Sequence, residues 1–374
     1  MKMLHVAGEI HPYTMGGIGV HVHDLCKDLT KLNQQITVYT TLPKYPQEIN
    51  LGFEVVDFHR YITIAGNIIA LNMIPSLFKN RYSFDVIHAH SHLFFSTVLC
   101  ACMRKIGSSP LIITNHGFQS QSAPKWLQKI YLPTVAKWTL NSADKILCYT
   151  NSAKQELIDA GIKAEKIAII PIGVDTDYFY PYPKTNPENK VFSILWAARL
   201  VPIKGLKYMI KAFEIFHEKH PDSELKILGE GIYYNDLVKY VQDTKQEESI
   251  HILGKIDFKN LPQAYSDADV FCMTSSYEAG PKTIFEAMAC GCPVISNDLD
   301  HLKDIVPNGG YLVSVKDTDK FVNLLEDSYM NRTILSELGA SGNRYISGHH
   351  TWERLVLDNL HISEEVRCNK NRLE

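Results

Sequence analysis

The stretch Ser275–Asn297, SSYEAGPKTIFEAMACGCPVISN, dictates more about the fold of this chain than any other. An apolar strand run, Asp269–Met273, leads into it, and a second, Pro293–Ser296, closes it. Between them lies one helix, with Pro281 in its first turn, where a missing N–H costs nothing, and Gly291 at its stop. Strand, helix and strand at this spacing form the repeating unit of a doubly wound α/β sheet. The stretch also carries two carboxylates, Glu278 in the loop and Glu286 inside the helix. Free backbone N–H groups are expected at Lys282 and Thr283, and such a helix start attracts phosphate. Glu286 could accept two hydrogen bonds from neighbouring hydroxyls, as on a ribose. The plain alternative is a solvated pair, since glutamate is common in helices.

A chain of 374 residues allows two domains, each with its own core. Its 45% hydrophobic and 21% charged content with net charge −3 is that of a soluble globular protein, and no nucleic-acid partner is expected. The eight cysteines show no metal-ligand spacing. Cys100/Cys102 and Cys290/Cys292 sit in apolar runs and read as buried thiols of a reduced, cytoplasmic chain. The N-terminus is expected to enter a strand directly with no signal peptide, and Ile62–Phe78 reads as too interrupted to span a bilayer. Charge is uneven. Residues 1–182 carry 16 Lys+Arg and 13 Asp+Glu, whereas residues 183–374 carry 22 and 28. Val86–Ala143 holds five basic residues and no acid.

In the first half, the strand Met3–Ala7 precedes a glycine turn at Gly16 and Gly17 that opens an apolar-periodic helix. Such a turn lets a phosphate or sugar approach the backbone, although it is not the dinucleotide fingerprint. The run His88-Ala89-His90-Ser91-His92 puts two histidines on one strand face, where two metal ligands could converge. No Asp or Glu follows within fifty residues, and Cys100 and Cys102 read as buried thiols, so no metal is expected. The strand Leu111–Thr114 delivers His116 to its C-terminal end, the end that lines the cleft in doubly wound folds. Pro124–Trp138 collects Trp126, Leu127, Ile130, Tyr131, Val135 and Trp138 at helical spacing among Lys125, Lys129 and Lys137, with Pro133 kinking or dividing the helix. Two readings fit that segment: a core face backed by solvated lysines, or a face for an anionic membrane. Tyr178–Pro187, rich in tyrosine and proline, reads as a linker.

In the second half, Val191–Trp196 is a strand followed by Arg199 and Lys204, two cations that suit a diphosphate. Gly229, Glu230 and Gly231 form a second glycine turn, and Lys255 and Ile256 follow the strand Ile250–Leu253.

EAGPKTIFEAMACGCPVI resembles the signature of the retaining glycosyltransferases of family 4, which have two facing Rossmann-like domains. The resemblance extends to the Gly16–Gly17 turn, the His116 context, Pro171–Asp175, Ala198–Gly205 and Thr351-Trp352-Glu353. Ala198, Ala279 and Ile172 depart from the family pattern, and Leu299–Asp304 replaces its G-G-x-x-E. The resemblance implies an α/β fold of two doubly wound domains (GT-B) with an interdomain cleft. Residues 1–182 would form the acceptor-side domain, 183–350 the nucleotide-sugar domain, and 351–374 a helix crossing back. It further implies retaining sugar transfer from a nucleoside-diphosphate sugar, UDP favoured and GDP next, to a glycan or lipid-linked acceptor.

In that scheme Arg199, Lys204 and the helix start at Gly280, Pro281, Lys282 and Thr283 offset the diphosphate. Glu286 holds the ribose, Glu278 the donor sugar, and His116 orients the sugar or its phosphate link. Gly16, Gly17, Gly229, Glu230, Lys255 and Ile256 add donor contacts, the last two near the base. No cofactor or metal is required. With no carboxylate in place as a covalent nucleophile, same-face attack is expected. If Lys125, Trp126, Lys129, Lys137 and Trp138 meet an anionic membrane, the enzyme works at the inner membrane face. A phosphorylase or epimerase on the same fold, and a non-catalytic binding subunit, are the other readings.

Overall fold

The computed structural model describes the chain except residues 14–16, 42–49, 65–66, 121–122, 189, 279 and 372–374. Its first half contains β1 (Lys2–Val6), β2 (Gln35–Thr40), β3 (Glu54–Asp57), β4 (Ile62–Ile64), β5 (Asn67–Ile69), β6 (Val86–His90), β7 (Leu111–Thr114), β8 (Lys145–Cys148) and β9 (Ile167–Ile169). Seven of these form one sheet in the order β3-β2-β1-β6-β7-β8-β9, and β4 and β5 make a separate hairpin. The second half contains β10 (Phe192–Ala197), β11 (Ser223–Leu228), β12 (Ile250–Gly254), β13 (Val270–Met273), β14 (Val294–Asn297) and β15 (Gly310–Val313), in the order β12-β11-β10-β13-β14-β15. Both sheets are parallel throughout.

Parallel strands covered on both faces read as continuous apolar runs rather than as alternation. Accordingly Phe192–Ala197 and Val270–Met273 are buried at every position. The first core gathers Leu4, Val6, Ile87, Ile113 and Ile146, and the second Ile194, Trp196, Phe213, Phe216 and Ile227. Chain order reverses between β1 and β6 in one sheet and between β10 and β13 in the other. At such points successive loops leave in opposite directions and open a crevice beyond the strand C-termini.

The chain divides into two compact units, Met1–Ile170 with Arg354–Glu374, and Pro171–Glu353. The division therefore falls before Pro171, not after residue 182. Tyr178–Pro187 has no helix or strand, yet it is fastened to the second unit rather than strung between units. Tyr178 stacks on Phe258 with centroids 5.0 Å apart, Lys184 pairs with Asp269 at 2.7 Å, and the Thr185 hydroxyl donates to Asp267 at 2.8 Å. The terminal helix Trp352–Asn371 sets Ile362 and Val366 against Val86, Ile112 and Leu147 of the first sheet. The cysteines are free, and burial pushes Cys100 and Cys290 up to about 12. Among the described residues no helix is long and apolar enough to cross a membrane.

Candidate active site

In the second unit the loops after β10 and β13 meet at the reversal point. The Trp196 indole donates to the Thr274 hydroxyl at 2.9 Å, and that hydroxyl donates to the Lys204 carbonyl at 3.0 Å. Ser276 donates its N–H to the Ile203 carbonyl at 2.8 Å. Between them Gly205 has φ +68°, and a Cβ there would collide with the Thr274 carbonyl, so only glycine lets the loops close this tightly. The result is an ion pair: the Lys204 ammonium lies 2.5 Å from a Glu278 carboxylate oxygen, with side chains only 12% and 10% exposed. The sequence reading assigned these two residues to different parts of a ligand, and the structure brings them together.

Around this pair the other expected residues are arranged unequally. Arg199 and Glu230 are exposed, as is Lys255, while Ile256 is half-buried. Gly229 has φ +133° and lies against the Ala198 carbonyl, where a Cβ would clash. Its N–H donates to the Gly254 carbonyl at 2.8 Å, which ties the ends of β11 and β12 together. The helix Lys282–Ala289 begins after a buried Pro281. Its first N–H is not free: Lys282 donates to the Gly280 carbonyl at 2.9 Å in a tight turn that Pro281 closes. This corrects half of the expected phosphate-facing N–H pair. Glu286 accepts a hydrogen bond from the buried Tyr265 hydroxyl at 2.9 Å. Burial raises its carboxyl pKa, against the Tyr265 hydrogen bond and the Lys282 charge, which lower it.

In the first unit Gly17 starts the helix Gly17–Lys31 in open space, and Gly16 lies outside the described residues. His116 stands two residues past β7 and is half-buried. Its Nε2 is 3.3 Å from His90 Nδ1, and its Nδ1 is 3.1 Å from the Tyr149 hydroxyl. The ring thus has neighbours at both nitrogens before any sugar arrives. His5, His88 and His90 form one group of three with convergent ring nitrogens, and His21, His90 and His116 another. The third histidine missing from the strand motif comes from upstream, because β1 lies beside β6 and pairs His5 with His88. His88 and His90 are carried well below the ordinary histidine value, chiefly by burial.

Lys125–Tyr131 and Lys137–Ser142 are α-helical, joined by one widened turn, Leu132–Ala136, that absorbs Pro133 without a break. The turn closes its first residue with Lys137 N–H to the Leu132 carbonyl. Trp126 is 66% exposed, Ile130 60% and Trp138 41%, so these side chains are not core.

Residues 15–178 match Glycosyltransferase Family 4, and residues 182–343 match Glycosyl transferases group 1. The chain belongs to glycosyltransferase family 4. Among its relatives, the Escherichia coli UDP-Gal:alpha-D-GlcNAc-diphosphoundecaprenol alpha-1,3-galactosyltransferase is 27% identical over 300 residues, 76% of each chain. Sucrose-phosphate synthase from Thermosynechococcus elongatus superposes with TM-score 0.81 at 20% identity, over 98% of this chain and 99% of that one. Anabaena HepE in complex with UDP and glucose gives 0.76 at 19% identity, over 98% and 99%. These likenesses carry the architecture of two parallel-sheet, Rossmann-like domains.

Three residues of this family 4 glycosyltransferase escaped the sequence reading. Tyr265 and Tyr149 each place a hydroxyl on an expected site residue. His301 feels the Glu278 charge, which raises its pKa against a larger lowering by burial, and its buried Nε2 has no partner among the described residues. Only a crossing of chain segments makes these neighbours, so no local spacing marks them.

Proposed function

We propose that the enzyme transfers a sugar from a nucleoside-diphosphate sugar, UDP favoured, to a glycan or lipid-linked acceptor with retention of configuration. The observation that carries this reading is the Lys204–Glu278 pair at the reversal point of the second sheet, where α/β folds take ligands. Lys204 and Arg199 supply the positive charge that offsets the diphosphate as it leaves, and no metal is needed for that role. Glu278 turns to the hydroxyls of the donor sugar, and Glu286, steadied by Tyr265, holds the ribose. The bond from the anomeric carbon to the phosphate oxygen breaks, and the acceptor oxygen attacks from the same face. The acceptor proton passes to the leaving diphosphate.

A thermal-shift panel of UDP, GDP, ADP and their sugars tests the donor class. A ligand at a hundredfold its dissociation constant adds about 2.7 kcal/mol, and UDP and one UDP-sugar are expected to do so. A panel in which no nucleotide raises the midpoint would overturn the reading.

A further inference from the structure

Three buried or half-buried groups in the first unit form an unbroken line with Tyr149. His5 Nδ1 lies 3.1 Å from His90 Nε2, His90 Nδ1 lies 3.3 Å from His116 Nε2, and His116 Nδ1 lies 3.1 Å from the Tyr149 hydroxyl. The strands dictate this. β1 and β6 are neighbours, β6 and β7 are neighbours, and β7 and β8 are neighbours, so residues at or just past their C-terminal ends stand side by side. His88 stacks on His90 with centroids 4.5 Å apart, and His21 stands edge-on to His116 at 5.1 Å. The surroundings are thus aromatic rings, and His5, His88 and His90 stay neutral because burial opposes their charging.

A neutral imidazole has one N–H donor and one bare acceptor nitrogen, so a line of them can point in only two directions. The far end decides which. His5 Nε2 is buried with no partner among the described residues. A bare lone pair left unmet is milder than a buried N–H left unmet. Nε2 of His5 is therefore the unprotonated nitrogen, and its proton sits on Nδ1, donated to His90. His90 in turn carries its proton on Nδ1 and donates to His116. His116 carries its proton on Nδ1 and donates to the Tyr149 oxygen.

We propose that Tyr149, not the His116 ring, presents the hydrogen-bond donor of this site to an oxygen of the sugar substrate, and that His116, His90 and His5 are positioning residues that aim it. Every ring nitrogen of the line except the buried end is used, and with His116 donating to its oxygen the half-buried Tyr149, the residue after β8, keeps its own hydroxyl hydrogen to donate. The substrate half of this inference rests on the glycosyl-transfer reading; the proton direction does not.

Long-range proton–nitrogen NMR on histidine-labelled protein reads the direction without substrate. Wild-type protein at pH 7.5 should show the Nδ1–H tautomer at His5, His90 and His116. Finding the Nε2–H tautomer at His90 or His116 would overturn the line, and so would a zinc ion that survives EDTA dialysis but is lost in His5→Gln. Tyr149→Phe removes the acceptor, and His116 should move toward the Nε2–H form. The same variant should lower turnover of UDP-glucose, or of whichever nucleotide-sugar the wild type turns over, by about tenfold, the loss of one hydrogen bond. Its UDP affinity should stay within about twofold, because the UDP contacts proposed above lie in the second unit. Unchanged turnover would overturn the substrate contact. Absence of turnover in the wild type itself, with the tautomers as expected, would instead count against the glycosyl-transfer reading.

Discussion

Lys204 and Glu278 neutralise each other in the free protein, and their low exposure keeps water from screening the pair. In the proposed reaction, a ligand that takes the ammonium with its phosphates releases the carboxylate for sugar hydroxyls, so both charges act together. Lys204→Ala or Arg199→Ala should lower turnover on the order of a hundredfold, as loss of a charge-stabilising donor does. Turnover within about threefold of wild type in both variants would remove the phosphate role. The two glutamates should separate by ligand. Glu286→Ala should weaken UDP and UDP-sugar alike, since the ribose is common to both, whereas Glu278→Ala should weaken the UDP-sugar more. Isothermal titration of both ligands reads this directly, and equal losses in both variants would end the division. The letters of Lys204 and Glu278 were legible in the sequence; their contact was not. It depends on β10 lying beside β13, which no spacing between residues 204 and 278 encodes.

At the scale of elements, the helical segment from Lys125 to Ser142 shows where periodicity stops informing. Apolar residues at helical spacing mark one face of a helix, but the same period serves a core face and a face turned outward. The structure turns Trp126, Ile130 and Trp138 outward beside Lys125 and Lys129, which removes the core reading for those three. We propose that this face meets anionic lipid, through indole burial at the interface and lysine attraction to headgroups. Changing Lys125, Lys129 and Lys137 to glutamate should abolish co-sedimentation with phosphatidylglycerol vesicles at low salt while leaving UDP binding intact. Wild-type protein that does not sediment with the vesicles would return the face to an ordinary surface. The helix start at Lys282 was legible from Pro281, but its closed N–H was not. That hydrogen bond depends on the backbone angle of Gly280-Pro281 rather than on residue type.

For the whole molecule, strand positions were legible because buried parallel strands leave apolar runs that flanking turns delimit. The division at Ile170 was not, because Tyr178–Pro187 has linker composition and its attachments to Asp267 and Asp269 lie eighty residues on. The buried histidines have a consequence for the molecule as a unit. Burial lowers His5 to about 3 and His92 to about 4 from 6.5, and lowers His88 and His90 well below it. Below 6.5 the unfolded chain takes up protons that the folded chain refuses, so stability falls as pH falls toward those values. Each histidine contributes up to about 1.4 kcal/mol per pH unit in that window. Urea midpoints should therefore drop steeply between pH 6.5 and 4.5, and less steeply in His5→Gln. Midpoints flat across that range would contradict the burial argument.

Nucleotide release with product analysis bears most directly on the proposed sugar transfer at the Lys204–Glu278 pair. Purified protein in EDTA would be given UDP-, GDP- and ADP-sugars with a glycan or lipid-linked acceptor, and the anomeric configuration of the product read by proton NMR. Release of UDP without added metal, and a product of the same anomeric configuration as the donor, is the predicted result. No release from any nucleotide-sugar, release that requires manganese or magnesium, or an inverted product would contradict it.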